Sequence, residues 1–125
     1  MRIDHINIRA PQALLEEVRD FYCAVLGLEE GFRPDFSGHG HWLYCADRPL
    51  VHLSLDPDCT AGGGGGHLDH VAFQAAGLAE FLARLEAHGI RYRSSHVPEL
   101  QLTQLFFSDP AGTGLEVNFP GEAMP

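Results

Sequence analysis

Two Asp-His pairs set the terms for this chain. Ile3-Asp4-His5-Ile6-Asn7-Ile8-Arg9 opens it, and Leu68-Asp69-His70-Val71-Ala72-Phe73-Gln74 returns just past its midpoint. Read as strands, both stretches alternate between two faces. His5, Asn7 and Arg9 share one face, with Ile6 and Ile8 on the other. Leu68, His70, Ala72 and Gln74 share one face, with Asp69, Val71 and Phe73 on the other. The correspondence continues downstream. His5 matches His70 at an offset of 65, Phe21 matches Phe81 at 60, and Gly27 matches Gly89 at 62. Trp42-Leu43-Tyr44 is paired with Gln104-Leu105-Phe106, also at 62, and His52-Leu53 with Glu116-Val117 at 64. Such even offsets predict a duplicated unit. With 125 residues there is room for one domain and a real core.

Each copy reads β-α-β-β-β. In the first, residues 3–9 are a strand and Pro11 opens a helix. Its apolar stripe is Leu14, Leu15, Val18, Phe21, Tyr22, Val25 and Leu26. Gly27 suits the left-handed position past the helix end. Residues 28–36 form a second strand or an irregular arm, and Ser37-Gly38-His39-Gly40 is turn chemistry. His41 to Ala46 is a strand, Asp47-Arg48-Pro49 a turn, and Val51 to Leu55 a strand. In the second copy, residues 68–74 are a strand. Leu78, Phe81, Leu82 and Leu85 stripe a helix ending at Gly89. Strands follow at Ile90 to Arg93, Leu102 to Ser108 and Leu115 to Phe119. Asp109-Pro110-Ala111-Gly112 fits a type I turn. Residues 56–66, ending in Gly62 to Gly66, read as a flexible linker. They lack the lysine and hydroxyl of a phosphate loop. The expected domain is therefore 3–119, with module one at 3–55 and module two at 67–119.

Composition narrows the partners. The net charge is −9 and every cation is an arginine. That balance repels phosphate backbones and anionic lipids, so neither nucleic acid nor a membrane is expected. No apolar run approaches the roughly 20 residues of a spanning helix, and no charged-then-apolar leader opens the chain. Cys23, Cys45 and Cys59 form no C-x-x-C, which suits a reducing, cytoplasmic setting.

Every first and last strand of a module has an apolar face and a polar face carrying one strong ligand type: His5, His52, His70 and Glu116. Imidazoles with a carboxylate and no thiolate suit one divalent ion, Zn, Ni, Co, Mn or Fe. Trp42, Tyr44, Gln104 and Phe106, on the third strands, are expected to line a substrate pocket with Asn7, Arg9 and Gln74. Aromatic walls and a few polar groups suit a small oxygen-bearing molecule. The histidines at 39, 41, 67, 88 and 96 are expected at the surface, with His41 and His67 as possible supports behind the ligands.

The repeated unit, Phe21-Tyr22-Cys23-Ala24-Val25-Leu26-Gly27-Leu28, and Asp109-Pro110-Ala111-Gly112 leading to Leu115-Glu116-Val117 together resemble the vicinal oxygen chelate superfamily of glyoxalases, bleomycin-resistance proteins and extradiol dioxygenases. The resemblance spans about residues 3–119. It implies an α+β fold in which two tandem βαβββ modules form a cupped mixed β-sheet with helices outside. It also implies a divalent metal on His5, His52, His70 and Glu116, and a homodimer. A glyoxalase-like lyase or isomerase is expected, with Glu116 as the group that moves protons. The glyoxalase pattern has a glutamate where this chain has His52. An extradiol dioxygenase, using His5, His70 and Glu116, is the alternative. A drug-binding or sensor protein without turnover is the other.

Overall fold

The computed structural model describes residues 1–35, 38–60 and 67–125. Residues 61–66 of the expected linker, and Phe36 and Ser37 of the expected arm and turn, lie outside the described residues. The chain divides into two compact units, residues 1–63 and 64–125.

The first unit runs β1 (Ile6–Ala10), α1 (Gln12–Ala24), β2 (Glu29–Gly31), β3 (Gly40–Cys45) and β4 (Arg48–Leu55). The second runs β5 (His70–Gln74), α2 (Leu78–Ala87), β6 (Arg93–Val97), a 3-10 turn (Pro98–Leu100), β7 (Leu102–Ser108) and β8 (Gly114–Pro120). Each unit holds one four-stranded mixed sheet, in the order β1-β4-β3-β2 and β5-β8-β7-β6. The first and last strands of each unit pair in parallel, and the remaining pairs are antiparallel. The fold is α+β, built of two βαβββ units.

The helices form where the stripes predict. α1 buries Leu15, Val18 and Tyr22 and packs on β1, β3 and β4. α2 buries Leu78, Phe81, Leu82 and Leu85. The Phe81 ring meets Phe119 at 5.4 Å and Phe107 at 6.0 Å. Leu43, Val51 and Leu53 complete the core of the first unit, and Leu105, Leu115, Val117 and Phe119 that of the second. Burying such side chains stabilises each unit by roughly 1.5–3 kcal/mol apiece. Both helices stop at a glycine in the left-handed region, Gly27 at φ 74° and Gly89 at φ 65°.

Several boundaries differ from the sequence reading. β1 and β5 start at Ile6 and His70, because their parallel ladders begin opposite Val51 and Gly114. His5 therefore precedes its strand rather than lying on it. The β3–β4 turn is Ala46-Asp47, with Ala46 at φ 54°, not Asp47-Arg48-Pro49. A bulge between Leu43 and Tyr44 brings Tyr44 opposite Pro49 and Cys45 opposite Arg48, which draws Pro49 into β4. Ile90 is not in a strand either. Its N–H donates to Leu85 O at 2.9 Å and that of Gly89 to Glu86 O at 3.0 Å, a Schellman closure of α2. β6 begins only at Arg93, opposite Phe106. The start of α2 is held from a distance: the Glu122 carboxylate accepts from Gly77 N–H at 2.9 Å and Leu78 N–H at 2.7 Å. No helix among the described residues is long and apolar enough to cross a membrane.

Candidate functional site

The four expected ligands fall as two pairs, one in each unit. The register shows why. His52 lies opposite Asn7, and Glu116 lies opposite Ala72. His5 and His70 stand two residues before those partners, so the strand period of two returns them to the same face. In the first unit His5 stacks on His52, with ring centroids 3.8 Å apart. In the second, His70 Nε2 lies 2.9 Å from Glu116 Oε2.

Each leading histidine is oriented by the aspartate before it. Nδ1 of His5 donates to Asp4 at 2.7 Å, and Nδ1 of His70 donates to Asp69 at 2.8 Å. A carboxylate on Nδ1 fixes the ring and leaves Nε2 as the working nitrogen. The His5 hydrogen bond holds Asp4 below the usual carboxylate range. The Asp69 hydrogen bond, and after it the Glu116 charge, push His70 up. His52 moves the other way, lowered first by burial and then by the charge of neighbouring His5. Its Nε2 is buried without a hydrogen-bond partner among the described residues. An unpartnered buried polar atom is costly in a fold and calls for an explanation, of which a ligand at a functional site is one; His41 Nε2, away from His52, is buried without a partner as well.

Gly114 makes the second pair possible. A Cβ there would come 2.6 Å from the Asp69 carbonyl oxygen and 3.2 Å from His70 Cβ. Only glycine lets β8 begin this close to the Asp-His step, so that Glu116 arrives beside His70.

The expected pocket residues separate by contact. Trp42 stacks on His52 at 4.0 Å. Gln104 Nε2 donates to Glu116 Oε1 at 2.7 Å and to Asn118 Oδ1 at 3.2 Å. Phe106 meets His70 edge-on at 6.4 Å. Tyr44 turns to β2 instead: its hydroxyl donates to Phe32 O at 2.5 Å. Asn7 Oδ1 accepts from Ser54 at 2.9 Å, and Arg9 pairs with Asp56 at 3.4 Å. Gln74 is exposed, opposite Asn118. Trp42 faces His52 across its ladder and Phe106 faces Glu116. Trp42 is thus the counterpart of Phe106, at an offset of 64 (42 to 106, as 52 to 116), not of Gln104.

His41 is not a surface residue. It is buried on the opposite side of β3 from Trp42, with Nδ1 on Glu30, away from His52. His67 and His96 are exposed, and His88 caps α2. Among the described residues no group of three or more His, Cys, Asp or Glu is arranged to hold a metal ion. Sequence reasoning missed the roles of Asp4 and Asp69 on the imidazoles, although each adjoins its histidine. It also passed over Arg91 and Arg93, which border a cavity beside His70.

The model of the Glyoxalase/Bleomycin resistance protein/Dioxygenase superfamily matches residues 2–117. Solved structures share the fold. A Bacillus anthracis protein assigned to the glyoxalase family is 26% identical, with a TM-score of 0.75 over 96% of this chain and 95% of that one. Lactoylglutathione lyase from Agrobacterium tumefaciens is 23% identical, with a TM-score of 0.66 over 94% and 92%. A variant of the fosfomycin resistance protein FosX from Listeria monocytogenes, complexed with Mn(II) and 1S,2S-dihydroxypropylphosphonic acid, is 15% identical, with a TM-score of 0.72 over 95% and 92%. No curated protein matches the chain.

Proposed function

The chain belongs to the Glyoxalase/Bleomycin resistance protein/Dioxygenase superfamily, and from that premise we propose that it is a divalent-metal-dependent enzyme, a glyoxalase-like lyase or isomerase acting on a small oxygen-bearing substrate. In this reading His5, His52, His70 and Glu116 hold the ion. The observation that carries the proposal is His52, whose buried Nε2 has no hydrogen-bond partner among the described residues while His5 and Trp42 stack against its ring. The donor set fits as well: three imidazoles and one carboxylate suit a borderline divalent cation. The aspartates on Nδ1 of His5 and His70 match the usual support behind metal-bound histidines. Among proteins of this fold, the Agrobacterium lyase and the Mn(II) complex of FosX are consistent with such chemistry.

A bound divalent cation would supply Lewis-acid polarisation of a substrate carbonyl or hydroxyl oxygen. The rest falls to the chain. Glu116 is the proton carrier: Gln104 anchors Oε1 at 2.7 Å, and Oε2, which faces His70 Nε2 at 2.9 Å, is the oxygen that accepts and returns a substrate proton. Trp42, stacked on His52, and Phe106, opposite Glu116, supply apolar surface beside those two residues. Because His52 replaces a second carboxylate, one base serves both proton transfers, which suits a substrate whose two exchanging carbons are adjacent.

The test is activity of the metal-reconstituted protein on a hemithioacetal and, in parallel, on catechol under air and under argon. Hemithioacetal isomerisation indifferent to oxygen supports the reading. Oxygen-dependent catechol cleavage would replace it by the dioxygenase reading, and binding without turnover would replace it by a drug-binding role. The proposal extends to a homodimer in the cytoplasm, in keeping with three free cysteines; light scattering after gel filtration checks the dimer.

A further inference from the structure

A cavity of about 590 Å³ opens in the second unit where β5 and β8 begin, β7 ends and β6 starts. Its volume lies within the range of small-molecule sites. Ile90, Phe106 and Leu115 give it apolar walls, and His70 reaches it from one side. Two of its lining residues are arginines, Arg91 and Arg93, both exposed. Arg9 and Arg19 each pair with a carboxylate, Asp56 and Asp20. Neither Arg91 nor Arg93 has an ion-pair partner among the described residues. The Arg93 guanidinium lies over the Phe106 ring, 4.9 Å from its centroid. That stacking holds the group in place and leaves its planar N–H fork available. The one carboxylate at the cavity, Asp69, already accepts from His70 Nδ1 at 2.8 Å.

We infer that this cavity is an oxyanion subsite in which Arg91 and Arg93 receive the carboxylate or phosphonate of a small substrate whose apolar body rests on Ile90, Phe106 and Leu115. A guanidinium fork matches both oxyanions with paired N–H donors. The inference deepens the proposed function by naming the substrate class, an anionic molecule with an apolar body. It rests on that function only for the metal beside His70.

The full chain, stripped of metal with chelator, is titrated calorimetrically with phenylphosphonate, with benzoate, and with benzamide as the neutral analogue of the same shape. Both anions are expected to bind, with benzamide at least about tenfold weaker. Arg91→Gln and Arg93→Gln are each expected to weaken phenylphosphonate by about tenfold and to leave benzamide unchanged. Both side chains are exposed, so circular dichroism should match wild type. Equal affinity for anion and amide, or wild-type phosphonate affinity in both variants, would overturn the subsite. Mn(II) titration of the same samples separates the two readings. Anion preference without Mn(II) binding sinks the metal reading and keeps the subsite. Mn(II) binding without anion preference does the reverse.

Discussion

The imidazole of His70 bridges two carboxylates: Nε2 lies 2.9 Å from Glu116 Oε2 while Nδ1 donates to Asp69 at 2.8 Å. In the first unit the corresponding position pairs His5 with another imidazole, His52, at 3.8 Å. The same backbone relation thus yields an ion pair in one copy and a stack in the other, and the difference comes from a single position, histidine at 52 against glutamate at 116.

Glu116→Gln tests the role given to that carboxylate. The amide keeps the size of the side chain and its place beside Gln104 but cannot accept and return a proton. Turnover on the identified substrate is expected to fall by about 10²–10⁴-fold. Wild-type kcat in this variant would remove Glu116 from the reaction.

The titration of the two central histidines should diverge in the metal-free protein. His70 is expected to titrate above the ordinary imidazole value of 6.5, and His52 below it. The signs for stability follow. A raised pKa favours the protonated form in the fold, so the His70 contribution is full below 6.5 and is lost as pH rises through its folded value. A lowered pKa favours the neutral form, so the His52 contribution is full above 6.5 and is lost as pH falls through its folded value. Proton NMR titration of the imidazole resonances, assigned with His52→Asn and His70→Asn, checks the order. A reversed order would contradict the packing of both rings.

Gly114→Ala probes the close approach of β8. Its Cβ would stand 2.6 Å from a backbone oxygen, which cannot swing aside as a side chain can. A loss of about 1–3 kcal/mol in chemical denaturation is expected, together with weaker divalent-ion binding as His70 shifts. Unchanged stability and unchanged ion binding would mean that β8 is free to move.

Much of this was legible in the chain. The stripes of Leu15, Val18 and Tyr22, and of Phe81, Leu82 and Leu85, located both helices because burial on one face leaves a period of 3.6. The sequence reading of β7, Leu102 to Ser108, agrees residue for residue with the structure. The polar faces of β4 and β8 named His52 and Glu116 because side chains alternate along a strand. What failed was register. The counterpart of Trp42 is Phe106, two residues from the Gln104 that the sequence offset picks out, and nothing local in Trp42-Leu43-Tyr44 marks it. Ile90 reads as strand by composition, but its N–H is taken by the helix closure at Leu85. Arg91 and Arg93 gave no signal because their meaning depends on β6 lying beside Phe106, a long-range pairing.

The central claim, that His5, His52, His70 and Glu116 hold one divalent ion, is tested most directly by metal content. Chelator-stripped protein is reconstituted in turn with Mn, Fe(II), Co, Ni and Zn, desalted and measured by mass spectrometry, alongside His52→Ala and His70→Ala. The account predicts about one ion per chain for at least one metal, little or none retained by His70→Ala, and a reduced amount by His52→Ala. Protein that rejects all five metals, or variants that retain the ion as wild type does, would contradict it.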